Sequence, residues 1–268
     1  MSTRVAVTAA NKLLLSSLEA PVSLVRELRR ADDFIKLAVV SAGAAIDTAG
    51  KRDLATSRIG LFIGTAYGPL ETNFCSLGSL IDDGEGQISP TLFSHSVYNA
   101  AAGYVSRLLD IHGPALTITT YTWPFLTALN QARLAILSGR IERAVVVAVE
   151  TYSSLLEDAY RRWHGKEEVP WQPGAVSWVL DPAKDAGENS CIINQMRIDE
   201  QPAEPGLLLA RTGEHWQGDK IRTGDGTHPL AYAYAFTDAV NQRSEDKKSR
   251  VRWELSAAFG KAWIEMEI

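Results

Sequence analysis

The chain has 268 residues, with 27 basic against 32 acidic side chains and a formal charge of −5 at pH 7. Apolar residues make up 46% of it and charged residues 22%, which excludes a disordered, collagenous or low-complexity chain. A mildly acidic chain is also poorly suited to wrapping nucleic acid, because that affinity depends on Lys and Arg neutralising phosphates. The length suits one large domain or two closely packed halves.

Neither a membrane span nor a secretory signal is predicted. No apolar run approaches the roughly 20 residues that are needed to cross a bilayer. Asn11 and Lys12 interrupt the apolar stretch near the start, which argues against a secretory signal. The two cysteines, Cys75 and Cys191, form no C-x-x-C pair, and one possible disulfide is no scaffold. We therefore expect the protein in a reducing cytoplasm.

Short apolar runs bounded by turn residues predict buried strands. In chain order they fall at 59–64, 115–120, 144–149, 175–180, 191–196, 251–255 and 261–268. Apolar residues at helical spacing predict helices at 97–109, 125–137 and 230–240. Strand, helix and strand over 115–149 form a βαβ unit, and the last two strands are expected to pair antiparallel. The fold class is therefore α/β with a mixed sheet, and the polar stretch 199–227 is predicted to be a long surface excursion.

No motif for a metal, a nucleotide or a hydrolytic serine is present. The sequence lacks a P-loop, a G-x-G-x-x-G after a strand, H-E-x-x-H and G-x-S-x-G. No two histidines are three or four residues apart, so neither a metal site nor a cofactor is predicted. The histidines are His95, His112, His164, His215 and His228.

Four stretches, in order, resemble the β-ketoacyl synthase family of the thiolase superfamily. They are GLFIGTAYG at 60–68, SPTLF at 89–93 running into NAAAGYVS at 99–106, IHGPALTITT at 111–120, and a helix followed by RAVVVAVE at 143–150. Beyond residue 182 the resemblance is weaker, although GTHPLAYA at 226–233 is similar to the Gly-His-x-x-Gly-Ala-Ala stretch of the family.

The resemblance implies a thiolase-like fold, layered α-β-α-β-α, with a shortened C-terminal half. A single domain over 1–268 would have an N-terminal half over about 1–182 and a reduced C-terminal half over about 183–268.

The position of the family's nucleophile carries a threonine. The family elbow reads Thr-Ala-Cys-Ser-Ser, whereas this chain reads TYTWP at 120–124, which places Thr122 where the cysteine belongs. A hydroxyl needs an adjacent base before it can attack, whereas a thiol with a pKa of about 8.5 is already partly ionised near neutral pH. His228 is a match for one of the family's two histidines, with local hydrogen bonding at a helix start as the simpler interpretation, and the other has no counterpart. We therefore predict no catalytic residue.

Bulky side chains surround the position of the missing cysteine. Tyr121, Trp123 and Phe125 either fill the core or fill a dead active site and shape a tunnel at a subunit boundary. Val97 and Tyr98 fall in a segment that resembles the family's pocket gate, so they are candidate gate residues. The alternative for both is ordinary packing on a helix face.

A ketosynthase-like chain without the cysteine resembles a chain-length factor, and its short form is similar to those of bacterial aryl-polyene pathways. The resemblance implies a pseudoenzyme that forms a heterodimer with an active β-ketoacyl synthase and limits chain growth in polyketide or fatty-acid biosynthesis. The acyl carrier protein would dock mainly on that partner. Condensing enzymes dimerise across the strand that matches Ala115, Leu116, Thr117, Ile118, Thr119 and Thr120.

Two other functions stay open. The chain could be a stand-alone acyl-transfer or thioester-hydrolysing enzyme that uses Thr122 with His228 as base. It could also be a purely structural binding protein whose pocket is filled.

Overall fold

In the computed structural model the chain is described over residues 4–84, 86, 89–151, 153–165, 172–187, 190–199, 206–211, 220–221, 229–242, 250–257 and 260–268. For residues 163–164, 206–211, 220–221 and 256–257 the backbone alone is described. Within these ranges no helix is long and apolar enough to cross a membrane.

The described residues form ten strands and eight α-helices. The strands are β1 Val5–Leu14, β2 Ile59–Thr65, β3 Ala115–Thr119, β4 Arg143–Glu150, β5 Gly174–Pro182, β6 Cys191–Asp199, β7 Gly206–Arg211, β8 Lys220–Ile221, β9 Arg250–Ala257 and β10 Gly260–Glu267. The helices are α1 Val25–Leu28, α2 Asp33–Ala49, α3 Leu70–Asp83, α4 Pro90–His95, α5 Ala100–Leu108, α6 Pro124–Leu137, α7 Ser154–His164 and α8 Ala231–Asn241.

The ten strands join in one hydrogen-bonded sheet with the order β3-β2-β4-β5-β1-β6-β10-β9-β7-β8. β3 and β4 both run parallel to β2, one on each side of it. β5 is antiparallel to β4, and β9 is antiparallel to β10. The sheet is therefore mixed, as predicted, and the strands of the predicted βαβ unit flank β2 rather than pairing with each other.

Helices cover both faces of the first five strands. α2 and α5 pack on one face against Val145 and Val147 of β4, and α6 packs on the other against Val146 and Phe62. Successive side chains of a strand point to opposite faces. β4 can be buried on both sides because it is apolar at every position from 144 to 149.

Helix α8 joins the first five strands to the later ones. Its Thr237 accepts a hydrogen bond of 2.9 Å from the indole N–H of Trp178 in β5. Its Phe236 stacks on Trp253 of β9 with 4.4 Å between ring centroids. α6, α8 and the inward side chains of β5, β9 and β10 form one apolar core. The one sheet therefore lies on both sides of α6 and α8, with β5 and its neighbours on one side and β9 and β10 on the other. Counted from α2, the layers are helix, sheet, helix and sheet.

The face of β9 and β10 that points away from α8 is charged. Arg252 lies over the ring of Trp263 at 4.2 Å and pairs with Glu254 at 2.9 Å, while Arg250 pairs with Glu265. Such side chains favour water over a helix packed against them. Of the five predicted layers, the described part of the chain supplies four, since none of its helices covers this face. The division near residue 182 stays a prediction.

The predicted strands and helices are present, with boundaries shifted by up to three residues. The predicted surface excursion at 199–227 is wrong where β7 and β8 lie, because β7 pairs with β9 as well as β8. The apolar run of β7 is short and has polar sequence on both sides, which hid its strand character. One further strand and five helices were not predicted: β1, α1, α2, α3, α4 and α7.

Candidate functional site

The carboxyl ends of β2, β3 and β4 lie side by side, because these strands are parallel neighbours. In open α/β sheets such an edge is where ligands bind. Three segments come together there: residues 65–68, called the β2 loop; residues 120–124, called the elbow; and Glu150 at the end of β4. The Thr120 N–H donates to the carbonyl oxygen of Thr65 at 3.1 Å. This edge is the candidate site.

The elbow turns sharply from strand into helix. Trp123 has a left-handed backbone conformation with φ 46°, which costs a residue with a Cβ roughly 1–2 kcal/mol. Pro124 opens α6, where its missing N–H does no harm. A Cβ on Gly64 would overlap the carbonyl oxygen of Pro124. Only glycine lets β2 approach the start of α6 this closely, and this approach holds the elbow in place.

Thr122 is hydrogen-bonded within the elbow. Its hydroxyl lies 2.8 Å from the hydroxyl of Thr120, and its N–H donates to the same oxygen at 3.1 Å. A hydroxyl nucleophile needs a base beside it. Among the described residues the hydrogen-bond partner of this hydroxyl is another hydroxyl. His228, the predicted base, lies outside the described residues.

Two of the five predicted pocket residues lie in the core of this chain. Phe125 is fully buried and meets the ring of Trp178 edge to face, with 4.9 Å between centroids. Trp123 is 7% exposed and belongs to the same apolar core. Their placement agrees with core filling, the simpler of the two interpretations made from the sequence.

The other three predicted pocket residues are exposed, Tyr121 by 73%, Val97 by 44% and Tyr98 by 39%. Tyr121 meets Tyr67 of the β2 loop edge to face, with 5.7 Å between ring centroids. Tyr98 packs so closely on Gly68 of the same loop that a Cβ there would overlap its ring. The structure therefore brings Tyr98 and Tyr121 onto one loop, and Val97 lies next to Tyr98 in sequence. Their role as a gate stays a prediction.

Glu150 is a buried carboxyl that holds the β2 loop. It accepts hydrogen bonds from the Thr65 hydroxyl at 3.2 Å, from the Tyr67 N–H at 3.2 Å and from the Ala66 N–H. Burial raises its pKa from 4.5 to about 8, so this carboxyl is largely protonated at neutral pH. In the sequence, Glu150 is visible only as the last residue of the family-like stretch RAVVVAVE at 143–150. The signal was a strand of apolar residues that ends in a glutamate.

Tyr232 of α8 was also missed. Its ring is buried, and its hydroxyl accepts hydrogen bonds from the N–H groups of Phe125 at 2.9 Å and Leu126 at 3.4 Å. Burial raises the pKa of Tyr232 well above its ordinary value, so the hydroxyl stays neutral. A tyrosine in an apolar helix gives no sequence signal for a contact with residues more than a hundred positions earlier.

The predicted dimer strand lies at one end of the described sheet. β3 pairs with β2, and no described strand covers its other edge. Its residues are half-buried or exposed, with Leu116 43% exposed. Most of the large exposed apolar side chains of the described residues lie on β3, the elbow, α3, α4 and the residues after α4. They are Leu77, Ile81, Phe93, Val97, Tyr98, Leu116 and Tyr121.

A cleft of about 310 Å³ lies between α2, α3 and Thr151, and no elbow residue lines it. Its carboxylates already have partners: Asp32 accepts from the Ile35 N–H and the Thr72 hydroxyl, and Asp33 pairs with Lys36. Across the described ranges no three His, Cys, Asp or Glu side chains are grouped to hold a metal ion. The elbow therefore remains the candidate site among the described residues.

The elbow follows a parallel strand, and the helix after it lies between two groups of strands. This arrangement allows the chain to be compared with known families. Residues 22–159, just over half of the chain, match the family described as "Beta-ketoacyl synthase, N-terminal domain", and the chain belongs to this family. It is 25% identical over 189 residues to 3-oxoacyl-[acyl-carrier-protein] synthase 2 of Coxiella burnetii, covering 63% of this chain and 46% of that protein. The chain therefore spans less than half the length of this curated relative.

Two solved structures share the fold. An acyl-carrier protein of a type II PKS in complex with its ketosynthase, AntDE:AntF, matches with a TM-score of 0.65 at 18% identity, over 75% of this chain and 71% of that one. A ketosynthase (ApeO) in complex with its chain length factor (ApeC) from Xenorhabdus doucetiae matches with a TM-score of 0.61 at 14% identity, over 99% of both chains. The predicted family and thiolase-like α/β fold class are confirmed.

Proposed function

We propose that this chain is a non-catalytic, ketosynthase-like chain-length factor. It pairs with an active β-ketoacyl synthase and shapes the tunnel in which the acyl chain grows, in aryl-polyene or related polyketide or fatty-acid biosynthesis. The observation that carries the proposal is the residue at the elbow. A condensing enzyme needs a thiolate there, whereas this chain has Thr122, whose hydroxyl is hydrogen-bonded to the hydroxyl of Thr120. Within the described residues the partner of the Thr122 hydroxyl is a hydroxyl and not a base, and a hydroxyl without a base cannot take an acyl group from a carrier at neutral pH.

The edge of β3 that no described strand covers supports the proposed pairing. An uncovered strand presents N–H and C=O groups to which a partner's strand can add. Leu116 on this strand and Tyr121, two residues after its end, are apolar side chains exposed to solvent. Exposed apolar side chains beside an uncovered strand edge favour a protein interface here. The solved complex that matches over nearly the whole chain holds a ketosynthase with its chain length factor, which agrees with the proposed arrangement.

The proposed role in the tunnel is steric. Tyr98 and Tyr121 rest on the β2 loop and are exposed in this chain, so their rings are free to line a space shared with a partner. A pocket excludes another two-carbon unit only by having no room for it.

With a charge of −5 the chain has no general attraction for an acidic carrier protein, so we place carrier docking on the active partner.

The test is co-expression of this chain, tagged, with a ketosynthase encoded beside it, followed by size-exclusion chromatography and mass analysis of the eluted complex. We expect a stable one-to-one heterodimer, with chain extension only when both proteins are present. A monomer or homodimer that ignores the ketosynthase would contradict the proposal. An acyl adduct on Thr122, or thioester turnover by the isolated chain, would support the stand-alone enzyme instead.

A pair of variants at Thr117 tests the docking strand itself. The Thr120 N–H points at β2, and N–H directions alternate along a strand, so the Thr117 N–H points at the free edge. Thr117→Pro removes that donor and keeps the ladder to β2, whereas Thr117→Val keeps the donor and the strand preference. We expect the Pro variant to lose the heterodimer and the Val variant to keep it, with unchanged circular dichroism for both.

A further inference from the structure

The side chain of Tyr232 reaches from α8 to the start of α6, the helix that follows the elbow. Tyr232 is 5% exposed, and its ring packs on Phe236 with 5.7 Å between centroids. Its hydroxyl oxygen accepts from the Phe125 N–H at 2.9 Å and from the Leu126 N–H at 3.4 Å. A residue of the C-terminal part of the chain therefore caps a helix of the N-terminal part.

This cap supplies a partner for two N–H groups in the first turn of α6. The first N–H groups of a helix have no partner inside it. Pro124 has no N–H, and the Thr127 N–H already donates to the Trp123 carbonyl oxygen at 3.0 Å. The Trp123 side chain gives no cap. The N–H groups of Phe125 and Leu126 are the two that are left, and Tyr232 takes both.

We propose that Tyr232 closes the N-terminus of α6 and so removes from the elbow the donors that would activate a nucleophile at position 122. The inference rests on the proposed function, because it gives a second, independent cause for a silent elbow. Helix N-termini stabilise thiolates and other anions through free N–H groups and the helix dipole. Here a neutral hydroxyl occupies those groups, and any anion must displace it. The buried carboxyl of Glu150 adds negative charge near Tyr232 when it is ionised.

The consequence is that restoring a cysteine alone does not restore an activated thiol. The experiment introduces Thr122→Cys in a Cys75→Ser background, because Cys75 is exposed, whereas Cys191 is buried. The full-length chain, co-purified with its partner where needed, is treated with iodoacetamide over a range of pH. Alkylation of the peptide that contains position 122 is followed by mass spectrometry, which reports the thiolate fraction there and depends on neither product formation nor tunnel length.

We expect the introduced thiol to titrate at or above the ordinary value of about 8.5. Adding Tyr232→Phe frees the two donors, and we expect the midpoint to fall by about one pH unit and the rate at neutral pH to rise about tenfold. The matched control is Tyr234→Phe, which removes a buried hydroxyl from the same helix that donates to the Gln172 carbonyl oxygen instead.

Two results would overturn the inference. One is a low midpoint in the Thr122→Cys variant that still carries Tyr232, and this measurement does not require the Tyr232→Phe variant to fold. The other is an equal shift from Tyr232→Phe and Tyr234→Phe. Because the readout is local, either result leaves the heterodimer test of the proposed function unaffected.

Discussion

The ring of Tyr98 lies directly against Gly68, so closely that a Cβ on residue 68 would overlap it. Gly68 also has φ 63°, a backbone conformation that favours glycine. The neighbouring Tyr67 meets Tyr121 with 5.7 Å between ring centroids. Two tyrosines from separate segments therefore rest on one short loop. Glu150 holds the same loop through the hydrogen bonds that its carboxyl group accepts.

The first prediction concerns the size of the Tyr98 ring. If this ring limits the tunnel, Tyr98→Ala makes room for further two-carbon units, and the heterodimer releases longer products. Tyr98→Phe keeps the ring and is the matched control, so its products should have the original length. Product lengths are measured by liquid chromatography and mass spectrometry of reactions run with the purified pair.

An intact heterodimer that makes products of the original length with both Tyr98 variants would show that this ring is not the gate. Size-exclusion chromatography of each variant with its partner has to precede the product analysis. A variant that no longer pairs reports on the interface, because Tyr98 is exposed in the single chain.

The second prediction concerns the pH dependence that Glu150 gives to the fold. Burial raises its pKa from 4.5 to about 8, so the folded protein keeps this proton where the unfolded chain has lost it. Stability from this group is therefore fully present below about pH 4.5 and is lost as the pH rises towards 8. Glu150→Gln is neutral throughout. Between about pH 5 and 8 we expect the wild-type Tm to fall relative to that of the variant, measured by scanning fluorimetry.

The matched control for this prediction is Glu142→Gln, since Glu142 is an exposed carboxyl paired with Arg58. Its Tm curve should run parallel to the wild-type curve. Parallel curves for Glu150→Gln as well would show that the buried carboxyl does not change its proton affinity on folding.

Local sequence patterns were sufficient to predict strands whose burial follows a regular pattern along the chain. β4 is apolar at every position from 144 to 149 and is buried on both faces, and both β9 and β10 alternate inward apolar residues with outward charges. The family resemblance placed Thr122 in the elbow because the strand before it and the helix after it have the family's spacing. These features depend on neighbours in sequence.

The rest of the site depends on contacts between distant segments. Nothing in the sequence around Tyr232 indicates that its hydroxyl caps α6, and the burial of Glu150 follows from the β2 loop folding over it. The sequence suits Phe125 equally to a tunnel or a core, and only the fold shows that its ring lies against Trp178. Sequence pattern shows that a side chain is apolar, but not which surface it meets.

The third prediction concerns the buried ion pair of Arg143 and Asp181, which lies at the amino end of β4, whereas the elbow lies beside its carboxyl end. Two nitrogens of Arg143 each lie 2.9 Å from a carboxylate oxygen of Asp181. The Asp181 side chain is 1% exposed. Arg143→Ala leaves this buried carboxylate without its main partner, and we expect a loss of about 3–5 kcal/mol in the free energy of unfolding, measured by urea titration.

The control for the ion pair is Arg162→Ala. Arg162 pairs with Asp158 on the surface of α7, where the two side chains are 80% and 52% exposed. Exposed pairs contribute at most about 1 kcal/mol. Equal losses from the two variants would mean that Asp181 gains its stability from Arg52 and Thr8, which lie 2.7 Å and 2.9 Å from its oxygens.

The last prediction separates the two interpretations of Phe125. If Phe125 is a core residue packed on Trp178, Phe125→Ala leaves a cavity and lowers the free energy of unfolding by about 3–5 kcal/mol. Phe125→Leu retains much of the volume and should cost clearly less. Urea titration of both variants measures the difference, and the purified heterodimer supplies the product lengths. A tunnel residue would behave the other way, because removing its ring would lengthen the products while leaving the stability of the chain nearly unchanged.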